Sequence, residues 1–202
     1  MICSTYLTGF STSCGSNLPS IKKLYIGAFE SATFTFNYQM NNDNVPAQVL
    51  DADGHPIIES VESAVLGSGA DKWVEFGFKK NTGEMTSEMT VNDNGSHFYT
   101  NGVNLVFAKQ DQGKRLALQS TASGECSMII LDSNGIYWLI GANDAVTATS
   151  LSATTGVAVS DNNQYTITLS ANEAILPIPL AADDNKAQTI INTLTGVTPA
   201  GA

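Results

Sequence analysis

Two glutamates, Glu84 and Glu88, come nearest in this chain to residues whose type and spacing could do chemistry. Side chains four positions apart on a β-strand lie on the same face, and glycosidases cleave their substrates with a pair of carboxylates. Acids on the exposed face of a strand are much commoner than catalytic pairs. We therefore keep a hydrolase as the weakest hypothesis and predict that the protein is not an enzyme.

The other residues capable of chemistry do not form a known motif. His55 and His97 have no HExxH or CxxC beside them, so we expect histidines in surface loops or turns. The run 51–54 (Asp-Ala-Asp-Gly) resembles half of a calcium loop but lacks its later ligands. The run 67–69 (Gly-Ser-Gly) lacks the third glycine of a dinucleotide-binding fingerprint. We predict no metal site and no cofactor.

The three cysteines, Cys3, Cys14 and Cys126, are an odd number without CxxC spacing, which argues against a disulfide framework and a zinc site. We expect reduced thiols. The start of the chain lacks the features of a signal peptide, and no apolar run approaches the ~18 residues of a membrane span. These features predict a protein without Sec export or a membrane anchor.

Composition indicates one globular domain that contacts other proteins. Of 202 residues, 43% are hydrophobic and 14% are charged, whereas roughly 25% charged residues is usual for soluble domains. The 19 acidic residues against 9 basic ones give a net charge of −10. High-affinity nucleic-acid binding needs clustered cations, and the basic residues here occur at most in pairs. We therefore expect no specific binding to nucleic acid.

Alternating apolar residues predict strands early in the chain. Residues 22–30 and 33–38 are strand-like, and the second segment places Phe34, Phe36 and Tyr38 on one face that should be buried. Residues 39–56 then predict a long, turn-rich loop, which in a compact domain is usually functional or disordered.

A three-stranded antiparallel unit is predicted in the middle of the chain. Residues 74–91 indicate a hairpin around a turn at 80–83, and the turn at 93–95 (Asp-Asn-Gly) leads to a third strand. In that strand Val103, Leu105 and Phe107 share a face.

The second half predicts a short helix over 109–120, followed by a hairpin over 128–140 that is apolar on both faces and therefore central. A late half-buried strand covers residues 165–169. Residues 181–202 are rich in Ala and Thr with little to bury. We thus expect an N-terminal arm (1–20), a β-sandwich domain (21–180) and a C-terminal tail (181–202).

Several stretches together resemble the tail-tube proteins of tailed bacteriophages, in particular those of phages of Bacteroides-type bacteria. The resemblance covers roughly residues 21–175 and depends on five segments in family order: 21–30, 75–83, 109–115, 132–141 and 155–169. It implies a mainly β, antiparallel β-sandwich or barrel-like tail-tube fold with one short flanking α-helix. None of the segments is a catalytic signature.

The resemblance implies a structural virion protein whose copies form stacked, six-membered rings around a conduit for phage DNA. Its partners would be other copies of itself and other tail or neck proteins of the virion, and DNA would pass without specific binding. An acidic lining suits this function, with Glu75, Glu84 and Glu88 as candidate lining residues. Candidate contacts between subunits are Tyr6, Phe10, Asn41, Asp43 and Asn44.

Two other functions stay open at this point. One is a ring-forming neck or tail protein of a short-tailed, crAss-like phage, which has the same architecture. The other is a carbohydrate-binding β-sandwich, suggested by the Ser, Thr and Asn content and by aromatic residues that could stack on a sugar, namely Trp73, Phe98, Tyr99, Tyr137 and Trp138.

Overall fold

A computed structural model describes residues 18–40, 56–78, 81–181 and 184–197 of the chain. The described part of the chain is mainly β, with 52% of its residues in strands, antiparallel sheets and two short helices. The strands are β1 (Ile21–Ala28), β2 (Ala32–Tyr38), β3 (Ile58–Leu66), β4 (Val74–Phe76), β5 (Gly83–Val91), β6 (His97–Ala108), β7 (Cys126–Asp132), β8 (Tyr137–Ile140), β9 (Thr147–Thr154), β10 (Gln164–Glu173) and β11 (Ile178–Pro179). The helices are α1 (Gln112–Ser123) and α2 (Asp184–Thr195).

The strands form three sheets. One has five strands in the order β11-β8-β7-β1-β4, one has four in the order β5-β6-β10-β9, and β2 pairs with β3. The five- and four-stranded sheets pack face to face over the main hydrophobic core, to which Leu24, Met128 and Ile130 contribute from the first sheet and Leu105 and Ile167 from the second. Helix α1 adds Leu118 to this core.

The five-stranded sheet also buries its other face. Tyr25 and Ile129 alternate along their strands with residues of the main core and point to the opposite side. There they pack with Val61 of β3 and with Ile190 and Leu194 of α2. The pair β2–β3 and helix α2 therefore form a third layer, and β7 lies at the centre of the molecule with both of its faces covered.

Several sequence predictions are confirmed. The hairpin β7–β8 is central and turns at Asp132–Gly135, where Gly135 has a φ of 96° that glycine adopts without strain. The alternating residues of β10 are buried as expected. The first helix also exists, but it begins at Gln112 because the Asp111 side chain accepts a hydrogen bond from the backbone N–H of Lys114 at 2.8 Å.

The predicted hairpin over 74–91 is wrong. Strand β4 pairs with β1 in the five-stranded sheet, whereas β5 pairs with β6 in the four-stranded sheet. The chain changes sheets here because Phe76 and Phe78 both pack edge-on against Phe107, at 6.2 and 6.4 Å between ring centroids, across the main core. The barrel-like alternative is also wrong, since the sheets do not close into a barrel.

The expectation of a single helix and of a tail with little to bury is wrong as well. Helix α2 lies within 181–202 and buries Ala187, Ile190, Ile191 and Leu194, each at most 3% exposed. These residues follow the i, i+3, i+4, i+7 spacing of one helix face. Strand β9 was not predicted, and neither was β3. Of the expected loop at 39–56, residues 41–55 lie outside the described part of the chain.

Candidate functional site

The outward face of the four-stranded sheet carries small polar side chains almost throughout. Cross-strand partners share a face, and the register places Glu84, Asn104, Thr168 and Ser150 in one row and Glu88, Thr100 and Asn172 in another. Residues of the opposite parity, such as Leu105 and Ile167, enter the core. We call this surface the polar sheet face: Glu84, Thr86, Glu88, Thr100, Asn104, Ser150, Ser152, Thr166, Thr168, Ser170 and Asn172.

The polar sheet face has no positive charge of its own. Strands β5, β6, β9 and β10 contain no Lys or Arg, so all 9 basic residues of the chain lie elsewhere. The acids Glu84 and Glu88 are exposed on this face. A surface of hydroxyls, amides and carboxylates without cations cannot form the ion pairs on which phosphate binding depends.

Hydrogen bonds between neighbouring strands hold several of these side chains. The Thr100 hydroxyl donates to the Asn172 side-chain oxygen at 2.9 Å, and the Ser150 hydroxyl donates to the Thr168 hydroxyl at 3.1 Å. The Thr149 hydroxyl donates to the Thr168 carbonyl at 3.3 Å. These polar groups therefore bond partly to one another across the sheet.

The structure separates the three candidate lining acids. Glu84 and Glu88 pair with Asn104 and Thr100 and so lie on one face, as the sequence predicted. Glu75 lies on β4 of the other sheet, where Lys23 Nζ contacts its carboxylate at 3.4 Å. Four residues of strand separate the Cα atoms of Glu84 and Glu88 by about 13 Å, whereas the carboxyl groups of a glycosidase pair lie about 5 to 9.5 Å apart. Their geometry does not support a hydrolase.

The two edge strands of the four-stranded sheet have no further strand partner in the described part of the chain, although helix α1 packs against β9. Strand β5 pairs only with β6, and β9 only with β10. Apolar side chains lie exposed on both edge strands: Met89 and Val91 are 57% and 60% exposed on β5, and Leu151 is 42% exposed on β9. Unpaired edge strands offer N–H and C=O groups to another strand. Both edges are thus available for contact with another protein.

A buried polar cluster lies at one end of this sheet and was missed from the sequence. The Glu173 carboxylate is 6% exposed and accepts hydrogen bonds from Asn101 Nδ2 at 2.9 Å and from the backbone N–H groups of Gly141 and Ala142 at 3.1 and 3.3 Å. Asn101 Nδ2 also donates to the carbonyl of Ile175 at 2.9 Å. Within the described residues, Asn101 Oδ1 has no partner.

Burial raises the pKa of Glu173 above its usual range, and the hydrogen bonds from Asn101 and the two N–H groups oppose that shift. The cluster joins the end of β10 to the segment after β8 and so connects the two large sheets. The sequence signal was a polar residue, Asn101, at a core-facing position two before Val103.

The aromatic residues do not form one platform. Trp73 is 3% exposed, packs edge-on against Phe34 at 6.0 Å and donates from Nε1 to the Ser31 hydroxyl at 3.1 Å. Trp138 donates from Nε1 to the Asp132 carboxylate at 3.1 Å. Trp73 is thus part of the core on one side of the five-stranded sheet, and Trp138 packs against the main core on the other.

The remaining candidate residues divide into two groups. His97 is exposed at the start of β6, with its ring edge-on to Tyr99 at 6.0 Å, and Cys126 is buried, which raises its thiol pKa to about 11.

No group of metal-ligating side chains occurs among the residues that the structure describes, and neither of the two helices found there is long and apolar enough to cross a membrane. The candidate residues named from the sequence that lie outside the described ranges are Cys3, Tyr6, Phe10, Cys14, Asn41, Asp43, Asn44, His55 and the run 51–54.

No family model, curated protein or solved structure matches this chain. The function must therefore be inferred from the chain's own residues and their geometry.

Proposed function

We propose that the protein is a structural subunit of a tube, a tail-tube protein of a tailed phage, in which the four-stranded sheet of a β-sandwich faces the lumen. The polar sheet face then lines the conduit, with Glu84 and Glu88 directed at the passing DNA. Glu75 has no place in this lining, because it lies on the other sheet beside Lys23.

The absence of Lys and Arg from all four strands of that sheet carries the proposal. Each lysine or arginine that contacts a phosphate releases counterions and strengthens binding, so a lining without them gives DNA little to adhere to. The two carboxylates repel the phosphates, and the hydroxyls keep the surface hydrated. Such a wall lets a polyanion pass without holding it.

The layer order supports the choice of this face. The five-stranded sheet is covered on one side by the main core and on the other by α2 and the β2–β3 pair. Among the described residues the four-stranded sheet packs against the main core on one side only, and its edge strands β5 and β9 have no further strand partner. If β9 of one copy meets β5 of the next, the contact is head-to-tail, and such contacts close into a ring when the rotation permits.

Assembly of the full-length protein tests this proposal. We expect purified protein at high concentration to form rings or tubes that are visible in negative-stain images and that light scattering reports as large species. A variant with lysine at two edge positions, Met89→Lys with Leu151→Lys, should stay monomeric, because like charges would then meet at every ring contact. Its control, Val65→Lys with Val197→Lys, changes two exposed apolar residues outside this sheet. Wild-type protein that stays monomeric at every concentration would contradict the proposal.

A further inference from the structure

Three Asn-Gly pairs occur in the chain, at residues 94–95, 101–102 and 134–135. An asparagine that precedes glycine can react with the backbone nitrogen of that glycine, because glycine has no Cβ to keep the side chain away. The three pairs have the same reactive groups. Their surroundings in the fold therefore decide which of them reacts.

The reaction is a deamidation that consumes only water. The glycine nitrogen loses its proton and forms a bond to Cγ of the asparagine, while Nδ2 leaves with that proton as ammonia. Water then opens the five-membered imide. Opening at Cγ gives aspartate, and opening at the backbone carbonyl gives isoaspartate, in which the main chain runs through Cγ. Negative charge develops on Oδ1 during the attack, so hydrogen-bond donors directed at that oxygen favour the step.

Two donors hold Oδ1 of Asn94. The backbone N–H of Ser96 donates to it at 3.0 Å, and the Ser96 hydroxyl donates to it at 2.7 Å. Asn92 Nδ2 donates to the same hydroxyl oxygen at 3.0 Å, which directs the hydroxyl hydrogen toward Asn94. The bond from the Ser96 N–H spans Gly95 and folds the Asn94 side chain back over the peptide whose nitrogen must attack it.

The turn that contains Asn94 lies at the surface, between β5 and β6, and residues 92–96 are all exposed. The N–H of Gly95 donates to the Asn92 carbonyl at 2.9 Å, and the nitrogen must lose this proton before it attacks. An exposed turn opens locally without unfolding of the sheet. Water and base therefore reach the Gly95 nitrogen in the folded protein.

The pair at 101–102 lies inside the sheet and is protected. Asn101 is 0% exposed, and its Nδ2 donates to the Glu173 carboxylate and to the Ile175 carbonyl. Gly102 is buried too, opposite Ser170 of β10. Attack at this pair would require the strands to separate.

The pair at 134–135 is exposed in the β7–β8 turn, but its side chain is held differently. Oδ1 of Asn134 accepts a hydrogen bond from the backbone N–H of Leu18 at 3.0 Å. This donor belongs to a distant part of the sequence, so the bond does not span Gly135. The bond directs the carbonyl toward the segment before β1 and must break before Cγ can meet the Gly135 nitrogen.

We infer that Asn94 is a site of spontaneous modification, at which the folded protein converts asparagine to aspartate and isoaspartate with Ser96 as the promoting residue. The inference does not depend on the proposed function. The product adds one negative charge to a chain whose net charge is already −10. Isoaspartate also lengthens the main chain of the turn that connects the edge strand β5 to β6.

Peptide mass spectrometry of the full-length protein, held in a mildly alkaline buffer, measures the reaction at each pair. Each conversion raises the mass by about one dalton, and water labelled with oxygen-18 marks the molecules that reacted during the incubation. We expect Asn94 to react about tenfold faster than Asn134 in the native protein, while Asn101 stays unmodified. In urea the three pairs should react at similar rates. Equal native rates at Asn94 and Asn134 would overturn the inference.

Two substitutions at one position isolate the contribution of the hydroxyl. Ser96→Ala removes one donor to Oδ1, whereas Ser96→Thr keeps it. We expect Ser96→Ala to slow the native reaction at Asn94 about fivefold and Ser96→Thr to leave it unchanged. Because the turn is exposed, both variants should keep the wild-type circular dichroism, and in urea both should react like wild type. A native Ser96→Ala variant that reacts as fast as wild type, or faster because its turn is looser, would contradict the inference.

Discussion

Removal of the buried Glu173 carboxylate offers the sharpest test of how the two large sheets are held together. The carboxylate accepts three hydrogen bonds, one from Asn101 and two from the backbone N–H groups of Gly141 and Ala142. In Glu173→Ala both N–H groups lose this acceptor, and Asn101 keeps only its bond to the Ile175 carbonyl. The substitution therefore acts on both sheets at once.

The expected loss of stability can be worked from these bonds. A hydrogen bond to a charged group contributes about 1.5 to 3 kcal/mol, and a buried group left without a partner costs about 1 to 3 kcal/mol. The cost of burying the carboxylate, which the raised pKa reflects, offsets part of that sum. We expect Glu173→Ala to lower the free energy of unfolding by about 3 kcal/mol.

Glu173→Gln removes the negative charge of the side chain and keeps its shape. The Gln carbonyl oxygen can still accept from the two N–H groups, but its amide then faces Asn101 Nδ2, also a donor. A flip of Asn101 would turn its unpartnered Oδ1 toward the new amide and remove the donor from the Ile175 carbonyl. One hydrogen bond is lost either way, so we expect a cost of about 1 kcal/mol at neutral pH.

The pH dependence has a definite sign. Because the pKa of Glu173 is raised in the folded state, the folded protein holds this proton at pH values where the unfolded chain has released it. Its contribution to stability is fully present below the unfolded pKa, near 4.5, and declines as the pH rises through the folded pKa. Gln does not titrate. The advantage of wild type over Glu173→Gln should therefore be largest in acid and shrink as the pH rises.

Urea unfolding followed by tryptophan fluorescence, at several pH values from about 4 to 8, measures that difference. The other carboxylates are common to both proteins and cancel. Glu84→Gln, an exposed acid in the same sheet, is the matched control and should change the stability by less than about 0.5 kcal/mol at every pH. A wild-type advantage that grows with pH would refute the reasoning, as would a Glu173→Ala variant as stable as the control.

Three further predictions concern other parts of the molecule. Leu194→Ala should destabilise the protein by about 2 to 5 kcal/mol in urea, with Thr193→Ala nearly neutral; equal effects would mean that α2 is not docked. Cys126 should resist a thiol reagent at pH 8 in the native protein and react in urea, because burial raises its pKa to about 11; rapid native labelling would contradict this. Thr86→Lys with Thr168→Lys should make assembled tubes retain DNA in a salt-dependent way, whereas Val65→Lys with Val197→Lys should not; equal retention would argue against the polar sheet face as the lining.

The sequence predicted those elements whose signal is local. Strands β1, β2, β7, β8 and β10 have either an alternating apolar pattern or turn residues at their ends, and each was located to within a few residues. Strand β9 was missed because its residues are mostly Thr, Ser and Ala and nearly all exposed, so it has little apolar alternation. Helix α2 has apolar residues at the spacing of one helix face, but it was not predicted because the segment is rich in Ala and Thr.

Pairing between strands is not a local property, and the wrong grouping of the three acids follows from that. Val74 and Phe76 alternate as a strand should, but nothing in their spacing states that their partner is β1 and not β5. With β4 assigned to the wrong sheet, Glu75 was grouped with Glu84 and Glu88. Glu84 and Glu88 share a face because side chains on a strand alternate with a period of two residues. That part of the prediction does not depend on which strands pair, and it is confirmed.

The order of the layers limits where an assembly surface can be among the described residues. A sheet with a core on each side offers neither face to a partner, and the five-stranded sheet is of this kind. In the part of the chain that the structure describes, the four-stranded sheet keeps its outward face, and neither of its edge strands has a further strand partner. Solvent-facing strands commonly carry Lys at their edges, which discourages pairing with other chains. Neither β5 nor β9 contains a lysine, and both expose apolar side chains instead. Edges without this protection are expected in a protein whose strands meet those of its neighbours.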